Sequence, residues 1–151
     1  MPFVFEVPKE YGYVLAVATS TIFINTYHKT LTYSARKASG IKYPNSFATP
    51  EQADKDPKAY KFNLAQRAHS NFTENHAPFV TALLIAGLGY PDFATYAGIA
   101  WVVGRFFYAF AYTKYGPQAR TTGYAVAHLG KIAVTVMAVL TSYRMVQAAS
   151  K

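Results

Sequence analysis

The sequence predicts an all-α integral membrane protein, a bundle of four helices running up and down, and three observations lead to it. First, no Asp, Glu, Lys or Arg stands between Tyr11 and His28, and an apolar run of about 18 or more residues without charge is long enough to cross a bilayer. Second, charged residues make up only 15% of the chain against 52% hydrophobic, where an ordinary soluble domain carries about 25% charged residues. Third, the later apolar stretches are joined by short links rich in Pro and Gly, and short links make antiparallel neighbours.

The elements follow in order. The first span covers about residues 11–31. It is preceded by Glu6, Lys9 and Glu10 rather than a basic leader, so it reads as a retained span and not as a cleaved signal. A polar loop over about 35–61 contains Pro44, Pro50 and Pro57. The second span, about 62–90, rests on the uncharged run from Asn75 to Pro91 with a polar, helix-compatible approach from Phe62. The third, about 93–115, is interrupted by Arg105, and the fourth, about 121–147, by Lys131 and Arg144. Tyr90-Pro91-Asp92 and Tyr115-Gly116-Pro117 make the tight links between them. Residues 1–151 thus form a single transmembrane domain.

Charge placement sets the expected orientation and excludes some functions. Arg36, Lys37, Lys42, Lys55, Lys58 and Lys61 lie in the first loop, and Lys114 and Arg120 flank the last link. Lys9, Arg144 and Lys151 fall on the opposite side, so the basic loops are expected to face the cytosol. The net charge is +8, but Arg105 is the one basic residue between Arg67 and Lys114. That is a pattern of loop charge flanking spans, and no nucleic-acid partner is expected. With no cysteine there is no disulfide, thiolate metal site or cysteine nucleophile. The four histidines (His28, His69, His76 and His128) have no ligand spacing, so no metal is expected. Tyr11, Tyr13, Tyr27, Tyr33 and Tyr90 sit near span ends, where aromatic belts form.

Polar residues inside spans are expensive and usually face the bundle interior. Arg67, Asn71, Glu74 and Pro78 fall at i, i+4, i+7 and i+11, along one stripe of the second helix. A cation, an amide and an anion in a row either bind a zwitterion or pair internally, Glu74 with Arg67 or with Arg105 across the bundle. Arg105, Tyr108 and Tyr112 make a second stripe on the third helix, offering donors suited to an anionic guest. Arg120 stands where the fourth helix begins, a position from which the macrodipole repels cations, which invites a functional reading. Lys131 is a lone intramembrane cation, expected to find a partner or a wet cavity.

The segment from Phe62 to Phe79, with Arg67, Ala68, Asn71, Glu74 and Pro78 at its core, resembles the signature of the MAPEG family of membrane-associated proteins in eicosanoid and glutathione metabolism. The resemblance extends to Lys9-Glu10-Tyr11-Gly12, Ala35-Arg36-Lys37, Tyr43-Pro44 and the Gly-x-Ala-Trp-x-Val-Gly-Arg run from Gly98 to Arg105. It implies a homotrimer in the endoplasmic reticulum membrane, with glutathione as co-substrate bound between protomers near the cytosolic face. It also implies an apolar, lipid-like co-substrate reaching the site from the bilayer. By the same resemblance Arg36, Arg67, Asn71, Glu74, Arg105, Tyr108 and Tyr112 would contact glutathione, with His69 as a further candidate, and Arg120 would activate the thiol. The implied enzyme is a glutathione transferase, with glutathione-dependent peroxidase and leukotriene-C-synthase-like reactions as variants of the same thiolate chemistry. His69 and Asn75 depart from the leukotriene-forming members, which have glutamine and tyrosine there. A lipid-binding member without catalysis is the alternative within the family.

Overall fold

The computed structural model describes residues 7–150; Glu6 and Lys151, used above at the two ends of the chain, lie outside them. The elements are α1 (Tyr11–Ser39), α2 (Pro50–Lys55), α3 (Pro57–Gly89), α4 (Pro91–Tyr115), a 3-10 turn (Pro117–Arg120) and α5 (Thr121–Ala149). Among the described residues there is no strand.

Prolines begin α2, α3, α4 and the 3-10 turn. The first helical position needs no N–H partner, and the proline ring presets φ for the helix. This corrects the long loop expected over 35–61. Only 40–49 and Asp56 lie outside a helix there, because Pro50 and Pro57 each occupy the first position of a helix. Thr49 and Gln52 close a reciprocal capping box around Pro50: the Gln52 N–H donates to Thr49 Oγ1 at 3.2 Å, and the Thr49 N–H donates to Gln52 Oε1 at 2.9 Å. Asp56 Oδ1 accepts the Lys58 N–H at 2.9 Å and caps α3. Asp56→Ala is expected to cost about 1 kcal/mol, seen as faster amide exchange at Lys58 and its neighbours in the first turn of α3.

Long helices consecutive in the chain run antiparallel. Tyr11 Oη donates to the Leu84 carbonyl at 3.1 Å, Thr21 Oγ1 meets His76 Nε2 at 2.8 Å, and Thr32 Oγ1 reaches the Ala65 carbonyl at 3.3 Å, so α1 ascends as α3 descends. Tyr90 alone separates α3 from α4, ending one and capping the other. Phe79 then stacks on Trp101 at 3.9 Å between ring centroids. Val14, Phe72, Phe79, Leu83, Trp101 and Val134 fill the core. Pro78 lies within α3, where its missing N–H frees the Glu74 carbonyl without ending the helix.

The α4–α5 contact is backbone against backbone. A Cβ on Gly123 would meet the Tyr108 nitrogen and, at 2.8 Å, the Gly104 oxygen; one on Gly104 would come within 2.5 Å of the Ala127 nitrogen. One on Gly130 would lie 2.5 Å from the Ala97 oxygen. Small residues at such crossings are how membrane helices gain close van der Waals packing. The opposite face of α5 carries exposed Leu129, Ile132, Val136, Val139 and Val146.

By length and composition two helical segments are apolar enough to cross a membrane, α4 and α5 with its preceding turn. At about 1.5 Å per residue, α1 and α3 also have the length to cross. Their polar content lowers their hydropathy: α3 carries Lys58, Lys61, Arg67 and Glu74 beside its apolar residues.

Candidate functional site

The site is built on the inward faces of α3 and α4 and closed by the 3-10 turn. Arg105 follows Gly104, whose bare backbone lets α5 approach, and it is only 2% exposed. Its Nη1 donates to Asn71 Oδ1 at 2.9 Å, and its guanidinium carbon lies 4.6 Å from the Tyr108 ring centroid. Tyr108 and Tyr112, one turn apart, are both buried and meet edge to face at 5.6 Å. Gly116, at φ +93°, turns the chain so that Arg120 returns over this stripe. Arg120 lies 4.7 Å above the Tyr112 ring, and its Nη1 is 3.5 Å from Tyr108 Oη, at the outer limit of a hydrogen bond. Asn71, Arg105, Tyr108, Tyr112 and Arg120 therefore form one connected cluster.

Arg67 and Glu74 lie on the exposed side of α3. Neither makes a side-chain hydrogen bond or ion pair with another described residue; the ion pairs among those residues are Lys9–Glu10 and Lys55–Glu51. The internal pairings considered for Glu74 are thus not formed. Seven helical positions separate Glu74 from Arg67 by about 10 Å along the axis. Arg105 points into the core and takes the Asn71 amide as its partner.

Arg36 is engaged elsewhere. Its Nη1 donates to the Asn45 carbonyl at 2.8 Å and to the Ile41 carbonyl at 3.3 Å, and the guanidinium sits between the rings of Tyr43 and Phe62 at 4.3 and 4.5 Å. It fastens the 40–49 link onto α3. His69 joins Arg36, Lys29 and Gln66 along a polar groove of about 410 Å³, separate from the Arg105 cluster.

Two groups were not singled out from the sequence as site residues. Asn75 donates through Nδ2 to the Asn71 carbonyl at 2.8 Å, and its Oδ1 accepts from Lys131 Nζ at 2.8 Å. Lys131 thus has a partner, but a neutral one. The i,i+4 spacing of Asn71 and Asn75 was the available signal. His28 is fully buried, 4.8 Å from the Phe72 ring; its place inside the first span, where polar side chains face inward, was the available signal.

An apolar groove of about 210 Å³ runs between α4 and the start of α5, lined by Val103, Phe107, Ala111, Ala119, Thr122 and Val126. Ala119 and Thr122 flank Arg120 in the chain. The groove is apolar, and none of the five cluster residues lines it; the two are linked only through the chain at Ala119 and Arg120.

Residues 14–140 match the model of the MAPEG family. The chain belongs to the MAPEG family. The matched stretch contains the whole Asn71–Arg105–Arg120 cluster, together with Arg36, Arg67 and Glu74. MAPEG proteins include glutathione transferases and peroxidases as well as other membrane proteins, and MAPEG members use glutathione.

Proposed function

We propose that this MAPEG protein is a membrane glutathione transferase and peroxidase, most like the third microsomal glutathione S-transferase of the family. The observation that carries the reading is the seating of Arg120 on the Tyr108–Tyr112 pair, beside Arg105 and Asn71. In this reading the chain is a single-domain four-helix up-down bundle that assembles as a homotrimer in the endoplasmic reticulum membrane, its site facing the cytosol. Exposed Arg67 and Glu74 suit a guest held partly between copies.

Glutathione offers two carboxylates, an ammonium and a thiol. Arginines bind carboxylates through bidentate, charge-assisted hydrogen bonds. Arg67 and Arg105 take that role; Arg36, in the last turn of α1, and His69 line a separate groove in the single chain and join them when the guest lies between copies. Glu74 with its freed backbone carbonyl receives the ammonium, and Asn71 both donates and accepts. Tyr108 and Tyr112 supply hydroxyls and ring faces. Arg120 stabilises the thiolate, the nucleophilic form of a thiol whose ordinary pKa is about 8.5.

In conjugation the thiolate forms a C–S bond to an electrophilic carbon; when the acceptor is an epoxide, the C–O bond breaks and the alkoxide takes a proton from water. In peroxide reduction the thiolate attacks the distal oxygen, the O–O bond breaks to give glutathione sulfenic acid, and the departing alkoxide takes a proton from water to become the lipid alcohol. A second glutathione then yields the disulfide and water. The apolar groove beside Arg120 is where the hydrophobic partner would lie, entering from the bilayer.

Glutathione titrated into the purified protein in detergent is expected to bind saturably by calorimetry. Glutathione-dependent turnover is expected with a lipid hydroperoxide, a lipid epoxide or both. Absence of binding and of both reactions would replace this reading with a non-catalytic lipid-binding MAPEG protein, which the apolar groove alone would still favour.

A further inference from the structure

We propose that the groove between α1, the start of α3 and the end of α4 binds one anionic glycerophospholipid, with its phosphodiester between Lys61 and Lys114 and one acyl chain laid along the groove. The volume is about 370 Å³, within the range of about 300–1,000 Å³ usual for small-molecule sites. Ala35 and Ala65, both buried, form the floor, and because neither fills the gap between helices, Leu31 and Phe110 are left as walls. Thr113 turns its hydroxyl back to the Ala109 carbonyl at 2.8 Å, so that hydroxyl is already satisfied. At the deep end Tyr27 stacks on Phe106 with 4.9 Å between ring centroids. On α1 the lining stripe runs from Tyr27 to Ala38, eleven positions or about 16 Å along the axis. Half of a hydrocarbon core of about 30 Å is nearly the same depth, so the groove matches one acyl chain of one leaflet.

Charge is what selects the head group. Lys61, about one turn into α3, and Lys114, in the last turn of α4, line the groove at the end nearest the basic links, and no carboxylate lines it. Lys114 Nζ rests 5.2 Å from the Phe110 ring centroid and 5.3 Å from that of Tyr115. Neither lysine belongs to an ion pair among the described residues. Long lysine stems lie along apolar surface and hold their ammonium groups at the head-group level, and basic pockets between membrane helices suit anionic head groups. A phosphodiester has two free oxygens, one for each ammonium, whereas a zwitterionic lipid carries a cation of its own that competes with the lysines. On α1 the stripe through Tyr27, Leu31, Ser34 and Ala38 lies on the flank opposite Lys29, Tyr33 and Arg36. The groove shares no lining residue with the Arg36–His69 groove, the α4–α5 groove or the Arg105 cluster, so the site does not depend on glutathione being the substrate.

The test titrates the whole purified protein in detergent with dioleoyl phosphatidylglycerol or dioleoyl phosphatidylcholine and reads the retained lipid by native mass spectrometry. Phosphatidylglycerol is expected to give one retained lipid per chain and to bind about thirtyfold more tightly than phosphatidylcholine, the gain that two lysines beside an anionic head group supply. The double variant Lys61→Gln with Lys114→Gln is expected to lose that preference. Lys37→Gln with Lys58→Gln removes the same charge from the same end of the bundle and is expected to keep it. Ser34→Phe fills the middle of the groove from an exposed position and is expected to lose the retained lipid with both lysines in place. Equal affinity of the wild-type protein for the two lipids would overturn the proposal whatever the variants do. So would loss of the preference in the Lys37 and Lys58 double variant, which would reduce it to diffuse charge, or unchanged binding by Ser34→Phe. Displacement of the phospholipid by equimolar oleate would assign the groove to a fatty carboxylate and overturn it as well.

Discussion

Arg120→Ala is expected to lower glutathione turnover up to about thirtyfold near pH 7, while glutathione still binds within a few-fold of the wild-type affinity. In the proposed mechanism Arg120 acts on the thiol, and a thiol returned to its ordinary pKa of about 8.5 is only about 3% thiolate at pH 7, against a largely ionised one beside the guanidinium. The carboxylate and ammonium contacts, on α3 and α4, would remain. The pH profile separates this from a structural effect. The rate of the variant should go on rising towards the ordinary thiol range, about 8.5, where hydroxide supplies the thiolate that Arg120 no longer stabilises. Arg120→Lys should fall between, since an ammonium keeps the charge but loses the planar fork and its stacking on Tyr112. Full turnover by Arg120→Ala at saturating glutathione would remove the thiolate role.

Gly123→Val is expected to be the most destabilising single change at the helix contacts. Its first added carbon would overlap the Tyr108 nitrogen and lie 2.8 Å from the Gly104 oxygen, both backbone atoms of α4 that cannot rotate away. Forced overpacking of this kind typically costs about 1–3 kcal/mol, and α5 must move outward to relieve it. That movement carries Arg120 away from Tyr108, so thermal melting and glutathione turnover should fall together. Gly12→Ala is the internal control: no atom lies within 4 Å of the added carbon, and replacing an exposed helical glycine gains up to about 1 kcal/mol of helix propensity. A Gly123→Val protein as stable as the wild type would mean that α4 and α5 do not cross as closely as described.

The parts of this arrangement that follow a helical period were legible in the sequence. Asn71, Arg105, Tyr108 and Tyr112 fall on stripes whose spacing puts them on common faces, and the cost of a charge inside a span turns Arg105 inward. The orientation of Arg67 and Glu74 was less legible. A spacing rule says that two residues share a face, but not whether that face meets the core or the outside. The helices inside 35–61 were not legible, because prolines such as Pro50 and Pro57 occur both in loops and as first helical residues. Only the caps at Thr49 and Asp56 decide between them. The glycine contact between α4 and α5 was hidden for another reason: it depends on how two distant backbones approach, which no local pattern encodes. Lys131 showed its need for a partner in the sequence, yet Asn75 could be named only once α3 and α5 were seen side by side.

The one-residue connection at Tyr90 leaves α3 and α4 no slack. A slip of one position along either axis, about 1.5 Å, would tear the 2.9 Å bond from Arg105 to Asn71, so these two rods work as a rigid frame. The joint between α4 and α5 is built differently, with Gly116 and a four-residue turn between the two rods. Arg120 therefore rides on the one joint of α3, α4 and α5 that has length to adjust.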